Sequence, residues 1–178
     1  MRLLILLSLC AALFPGEEAA PVDGVNAHVY FSPNGGCTEA IVREIEAAKQ
    51  SIRVQAYSFT SKPISAALKT AKERGVGVEV ILDASQRTEK YSGADFIAHA
   101  GIPVLIDEKP AIAHSKVMII DGSTVITGSF NFTSSAETRN VENLLVLRST
   151  ELAQRYLTNW LERQKASVSY IPKDEREK

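Results

Sequence analysis

The chain has 178 residues, with 20 Lys and Arg against 21 Asp and Glu and a formal net charge of −1. So even a balance provides no global field to draw in a polyanion, which argues against a dedicated high-affinity nucleic-acid binder. Any polyanionic substrate would have to be held by local positive charge.

Met1-Arg2 is followed by an apolar run from Leu3 to Phe14, then by Pro15-Gly16 and two acids. A short basic start, about a dozen apolar residues and a breaker match a secretory signal peptide. The run is too short for a membrane span, which needs about 20 residues. Residues 1–20 are therefore read as a signal with cleavage near Ala20. Residues 21–178 are read as one exported domain, bacterial and periplasmic or secreted, large enough for its own core. Cys10 falls in the signal and leaves Cys37 without an internal disulfide partner.

The rest alternates strand-like and helix-like segments, the pattern of an α/β fold. Ala27 to Phe31 reads as a strand. Thr38 is placed as the cap of a helix reaching Gln50, with Ile41, Ile45 and Ala48 on one face. Ile52, Val54 and Ala56 alternate in a second strand. Pro63 sits near the first turn of a helix ended by Gly75. Val76 to Leu82 reads as a buried strand, and Gly93 to Ala100 as a short helix closed by Gly101. Further strands are expected at Pro103 to Ile106, Ala113 to Ile120, Val125 to Thr127 and Val141 to Leu147. Ser149 or Thr150 caps a last helix with a stripe of Leu152, Tyr156, Leu157 and Trp160, read as core or dimer packing. These elements predict a single-domain mixed β-sheet flanked by helices on both faces.

The chemistry concentrates in eighteen residues, His114-Ser-Lys116, Asp121 and Gly128-Ser129-Phe130-Asn131, spaced H-x-K-x4-D-x6-G-S-x-N. Side chains two apart on a strand share a face, so His114 and Lys116 are expected to project together, as are Ser129 and Asn131 if extended. A lysine can neutralise non-bridging phosphoryl oxygens while Ser129 and Asn131 add hydrogen bonds. His114 can attack phosphorus or protonate a leaving oxygen, depending on its protonation. Glu142, on the following strand, is placed to fix the imidazole tautomer. Asp121 has the opposite parity and is expected to serve as a structural acceptor in its turn. Asp83, Asp95, Asp107, His28 and His99 show no metal-ligand spacing, and no cofactor is expected. Lys62, Arg87, Lys90, Lys109 and Arg139, in loops near strand ends, are candidates for holding flanking phosphates.

His114-Ser-Lys116-Val-Met-Ile-Ile-Asp121 with Gly128-Ser129-Phe130-Asn131 resembles the HKD signature of the phospholipase D superfamily. Val54 to Phe59 resembles that family's early strand, and Asn140 to Asn143 the segment carrying the histidine's partner. The resemblance runs from about Val25 to Gln164. With one motif instead of two, the chain is similar to the small exported single-motif bacterial endonucleases of the superfamily. That resemblance implies a homodimer with two motifs facing across a two-fold axis, and metal-independent hydrolysis through a phosphohistidine. It implies DNA, or RNA, as substrate. A lipid phosphodiesterase of phospholipase D or cardiolipin-hydrolase type is the alternative, and a binding module without activity a third reading. No amphipathic basic helix follows the signal, so no stable membrane association is expected. Phe130 and Phe132 fit a base-stacking groove, an acyl groove or the core equally well.

Overall fold

The computed structural model describes residues 22–175; the signal-peptide reading of residues 1–20 lies outside them. Eight strands form one mixed sheet in the order β1-β7-β6-β5-β2-β3-β4-β8. They are β1 (Asn26–Ser32), β2 (Ser51–Ala56), β3 (Gly77–Asp83), β4 (Val104–Asp107), β5 (Lys116–Ile120), β6 (Thr124–Gly128), β7 (Glu142–Arg148) and β8 (Val168–Ser169). Strands β2, β3 and β4 run parallel and the remaining pairs are antiparallel. The parallel part is threaded through helices α1 (Cys37–Ala47), α2 (Lys62–Glu73) and α3 (Ala94–His99). The remaining helices are α4 (Ser134–Thr138) and α5 (Thr150–Ala166).

Period-two alternation sorts the strands onto two faces. Ile52, Val54, Val78, Val80, Met118, Ile120, Leu144 and Val146 face α1 and α2, which contribute Ile41, Ile45, Ile64 and Leu68. The other face carries Ile81, Val117, Ile119 and Val125, against which α5 lays Ala153 and Trp160. The predicted stripe of α5 is thus core, with Leu152, Tyr156 and Leu157 partly buried around it. Each fully buried aliphatic side chain contributes about 1.5–3 kcal/mol. Trp160 also donates its indole N–H to the Val54 carbonyl at 3.0 Å, which satisfies the one polar atom of a fully buried ring. Arg163 grips buried Asp107 through two bonds of 2.7 and 2.6 Å and fixes the end of α5 to β4.

Three local expectations are corrected. Thr38 does not cap α1: the cap position is Gly36 at φ 79°, and the N–H groups of Gly36 and Thr38 donate to the Glu137 carboxylate on α4. Helix α1 stops at Ala47, because the backbone N–H groups of Lys49 and Gln50 turn to the Asp121 carboxylate instead. Strand β5 begins at Lys116, not Ala113, so His114 stands on the loop leading into it. Of the three readings open for Phe130 and Phe132, the core reading holds: both are fully buried, and Phe132 packs edge-on against Phe59. The short α4 and β8 were not foreseen; their few residues carry no readable period.

Candidate active site

The carboxyl ends of β2 and β3, the entry to β5, the exit of β6 and the start of β7 meet at one rim of the sheet. There His114, Lys116, Gly128, Ser129, Asn131 and Glu142 line an open cleft of about 390 Å³. The crevice beyond the carboxyl ends of parallel strands is where open α/β sheets bind ligands. The five predicted residues around this cleft come together from three separate segments.

His114 is exposed and Lys116 is buried. The Lys116 ammonium donates to the His114 carbonyl at 2.7 Å and approaches His114 Nδ1 at 3.0 Å. Strand parity does not produce this pairing, since His114 is off the strand; the lysine reaches back along the loop. An ammonium can only donate, so Nδ1 is the acceptor and a neutral ring carries its proton on Nε2. Burial pushes the Lys116 amine below the ordinary lysine range, and the charge of Glu142 opposes that shift.

Glu142 shares the cleft, but its carboxylate accepts from the Asn140 side-chain amide at 3.0 Å and makes no hydrogen bond to His114. The expected orienting contact is therefore not formed in this chain: Asn140, two residues earlier, occupies the carboxylate and Lys116 occupies Nδ1. Ser129 Oγ accepts from Asn143 through its backbone N–H (3.0 Å) and its side-chain amide (3.3 Å), leaving the hydroxyl proton free to donate into the cleft. The Oδ1 atom of Asn131 is buried with no hydrogen-bond partner among the described residues. Gly128, at φ 147°, lets this loop press on β7, since a Cβ there would lie 2.3 Å from the Asn143 carbonyl oxygen.

Asp121 is remote from the cleft and is a structural acceptor, but for the backbone between α1 and β2, not for its own turn as expected. Five residue steps of strand separate it from Lys116, about 17 Å at 3.4 Å each. Asp121 and Gly122, at φ 50° and 62°, make the tight turn between β5 and β6. Its carboxylate accepts from the backbone N–H groups of Lys49, Gln50 and Ser51 at 2.8, 2.8 and 2.9 Å. Burial alone would raise this carboxyl, but those donors and the Lys49 charge outweigh it and hold it below the usual range.

Two residues with no assigned role also shape the site. The Tyr57 ring packs against His114 with centroids 4.5 Å apart and planes tilted by 53°, and the Lys116 ammonium lies 5.1 Å from its centre. Asp83, at the end of β3, accepts from the backbone N–H of Ala113 at 2.7 Å and so pins the residue before His114. Burial favours the protonated form of Asp83, but hydrogen bonds from Ser85, Ala113 and Ala84 prevail and keep it ionised to lower pH. An acid closing the apolar strand Val78–Leu82 was the available signal for Asp83. Tyr57, the residue after β2, lies in the Val54 to Phe59 segment of the resemblance, which gave it no role.

Among the proposed phosphate contacts, Lys62 lies at the start of α2 in a neighbouring cleft. Arg87 pairs with Glu108 at 3.0 Å. Lys90, Lys109 and Arg139 are exposed and form no ion pair among the described residues, and none of the five lines the cleft of His114. Among the described residues, no three His, Cys, Asp or Glu side chains converge as metal ligands would. Buried Cys37 has its thiol pushed up to about 11 by burial and by Glu137 and Glu39.

The family model of the cardiolipin synthase, PLD-like domain matches residues 41–164. The phospholipase D of Rickettsia conorii is 47% identical over 133 residues, covering 75% of this chain and 66% of that protein, just under two thirds of it. The mouse mitochondrial cardiolipin hydrolase is 31% identical over 140 residues, covering 76% of this chain and 63% of that protein. Nuc from Salmonella typhimurium, a phospholipase D family member of known crystal structure, superposes with a TM-score of 0.79 at 41% identity, over 83% of this chain and 99% of that one. The chain belongs to the phospholipase D superfamily.

Proposed function

We propose that the chain is a metal-independent endonuclease that cleaves single- and double-stranded DNA at a site shared by two copies. The observation that carries this reading is the exposed His114 imidazole clamped by buried Lys116, with only one such histidine in the cleft. Hydrolysis needs a nucleophile and a proton donor at once. The His114 of one copy attacks phosphorus and forms a P–N bond. As the P–O bond breaks, the His114 of the second copy protonates the departing oxygen. That second imidazole then takes a proton from water, whose oxygen displaces the first histidine and releases the phosphate. Lys116, Ser129 and the Asn131 amide meet the phosphoryl oxygens as charge builds on them.

The second ring must donate as the imidazolium, with N–H on both nitrogens, so that it is left as the neutral imidazole that next takes a proton from water. An attacking ring needs its proton on Nδ1, with an acceptor there, and Glu142 is the carboxylate within the cleft. Val141, 88% exposed beside Glu142, and Phe31, 63% exposed on edge strand β1, supply apolar surface next to the cleft for a second copy. The near-complete overlap with Nuc favours the nuclease reading.

The relatives named phospholipase D and cardiolipin hydrolase favour a second reading, a lipid phosphodiesterase. Among the described residues no helix is long and apolar enough to cross a membrane. Purified protein and its His114→Asn variant, each in excess EDTA, are offered plasmid DNA and, separately, phosphatidylcholine and cardiolipin vesicles. Nicking that disappears in the variant is expected. Turnover of lipid alone would replace the nuclease reading, and activity lost to EDTA would refute the metal-free route. We further propose export to the periplasm or medium, tested by N-terminal sequencing of the secreted protein.

A further inference from the structure

A second cleft, larger than the one that holds His114, lies among the described residues. It has a volume of about 700 Å³ and is lined by Thr60, Lys62, Ser65, Tyr91, Gly93 and Phe96, with Ala66 and Ser92 completing it. Tyr91 is 71% and Phe96 48% exposed, so two aromatic rings stand open to solvent beside a lysine. A second lysine, Lys90, holds its ammonium 5.3 Å from the Tyr91 ring centre. The nearby acids are engaged: Glu89 accepts from the Tyr91 backbone N–H, and Asp95 accepts from the Tyr170 hydroxyl and the Lys173 backbone.

This groove is tied to the catalytic cleft by one strand of chain. The Tyr57 ring packs at a tilt against His114, and its backbone N–H donates to the Ser115 carbonyl at 3.0 Å. Three residues on, Thr60 forms the groove wall and donates to the Phe132 carbonyl at 3.0 Å, next to Asn131 of the catalytic cleft. Three extended residues span about 10 Å, within reach of a neighbouring nucleotide. The far wall is fixed to the same strand: the Gly93 N–H donates to the Phe59 carbonyl at 2.7 Å. A Cβ at Gly93 would stand 3.0 Å from the Phe59 ring, so the Tyr91 loop sits as close as glycine allows.

We propose that this groove stacks unpaired bases of a single-stranded nucleic acid beside the scissile phosphate, with Tyr91 and Phe96 as the platform. The inference rests on the nuclease reading and adds to it a preference for single strands. Aromatic faces with flanking cations are the physical means by which unpaired bases are held without sequence readout. The bases of an intact duplex are already stacked and cannot enter. An acyl chain fits less well, since among the described residues no Val, Leu, Ile or Met lines the groove.

The test uses full-length His114→Asn protein, which binds without cleaving, and fluorescence anisotropy with a short labelled oligo-dT. A single abasic residue is walked along that strand. Tyr91→Ala is expected to weaken binding about tenfold, as is an abasic residue at one position. The two changes together should cost no more than either alone, because both remove the same stack. Tyr91→Trp restores affinity, and the exposure of Tyr91 keeps these changes clear of the core. Additive losses, or no loss on Tyr91→Ala, overturn the groove assignment while plasmid nicking by the wild type leaves the nuclease reading standing. Wild-type protein that neither nicks plasmid nor binds oligo-dT overturns both. Unchanged oligo-dT affinity with weaker binding to cardiolipin vesicles assigns the groove to an acyl chain instead.

Discussion

Replacing Asp121 with alanine removes one acceptor from three backbone donors at once, those of Lys49, Gln50 and Ser51. A hydrogen bond to a charged group contributes about 1.5–3 kcal/mol. The Lys49 and Gln50 groups are exposed and water can replace their partner, so the loss discounts to roughly 3 kcal/mol in all, nearer one bond than three. For a domain of this size that lowers Tm by roughly 6–12 °C. Because Asp121 is held below the usual carboxylate range, its contribution is present above the ordinary aspartate pKa, about 3.9. It fades as pH falls through the lower folded value. Urea unfolding followed by circular dichroism at pH 7 and near pH 3 should therefore show the gap between wild type and Asp121→Ala shrinking in acid. Since the carboxylate lies about 17 Å along β5 from Lys116, kcat well below the unfolding midpoint should stay within about tenfold of wild type. A variant with unchanged midpoint and activity lost by 10³ or more would refute the structural role and place Asp121 in the chemistry.

Activity that needs the Lys116 ammonium should be full below the lysine's lowered pKa and lost as pH rises through it, so the alkaline limb of kcat/KM should fall below about 10.4, the ordinary lysine value. A profile flat past that pH would refute the link. Gly128→Ala drives a Cβ into the Asn143 carbonyl and should cost roughly 3 kcal/mol by urea titration, with Ser129 displaced and kcat reduced. An unchanged midpoint would show that the loop yields easily. Asp83→Ala leaves the Ala113 N–H without its acceptor and loosens the residue before His114; kcat should fall about tenfold with KM little changed, and Asp83→Asn, which keeps one acceptor oxygen, should recover part of it. Equal loss in both variants would show that the charge matters, not the hydrogen bond.

What the sequence made legible was whatever obeys a short period. Alternation in Ile52-Arg53-Val54 and Val117-Met118-Ile119 placed strands and their two faces, and the spacing of Leu152, Tyr156 and Trp160 placed α5. The cleft members His114, Lys116, Ser129, Asn131 and Glu142 were legible as a motif, yet the parity argument used for the first pair fails at a strand end. Lys116 meets His114 by curling back onto its own loop carbonyl. The sequence left Phe130 and Phe132, beside the motif, open between a groove and the core, and both are core. Adjacency along the chain says little about exposure where a loop dives between a sheet and its helices.

What stayed hidden are contacts between segments far apart in sequence. Asp83 to Ala113 joins residues 30 apart, and Asp121 to Ser51 residues 70 apart. In both, one carboxylate satisfies backbone N–H groups of a segment that leaves regular structure and has lost its own partners. They bracket the motif: Asp83 fixes the chain just before His114, and Asp121 fixes the turn just after β5. The strand between them, buried along its whole length, therefore cannot slide by one register step without breaking both anchors and turning Val117 and Ile119 to the opposite face. The histidine keeps its place because β5 is held at both ends, and the aspartate of the motif acts on catalysis through the register of that strand.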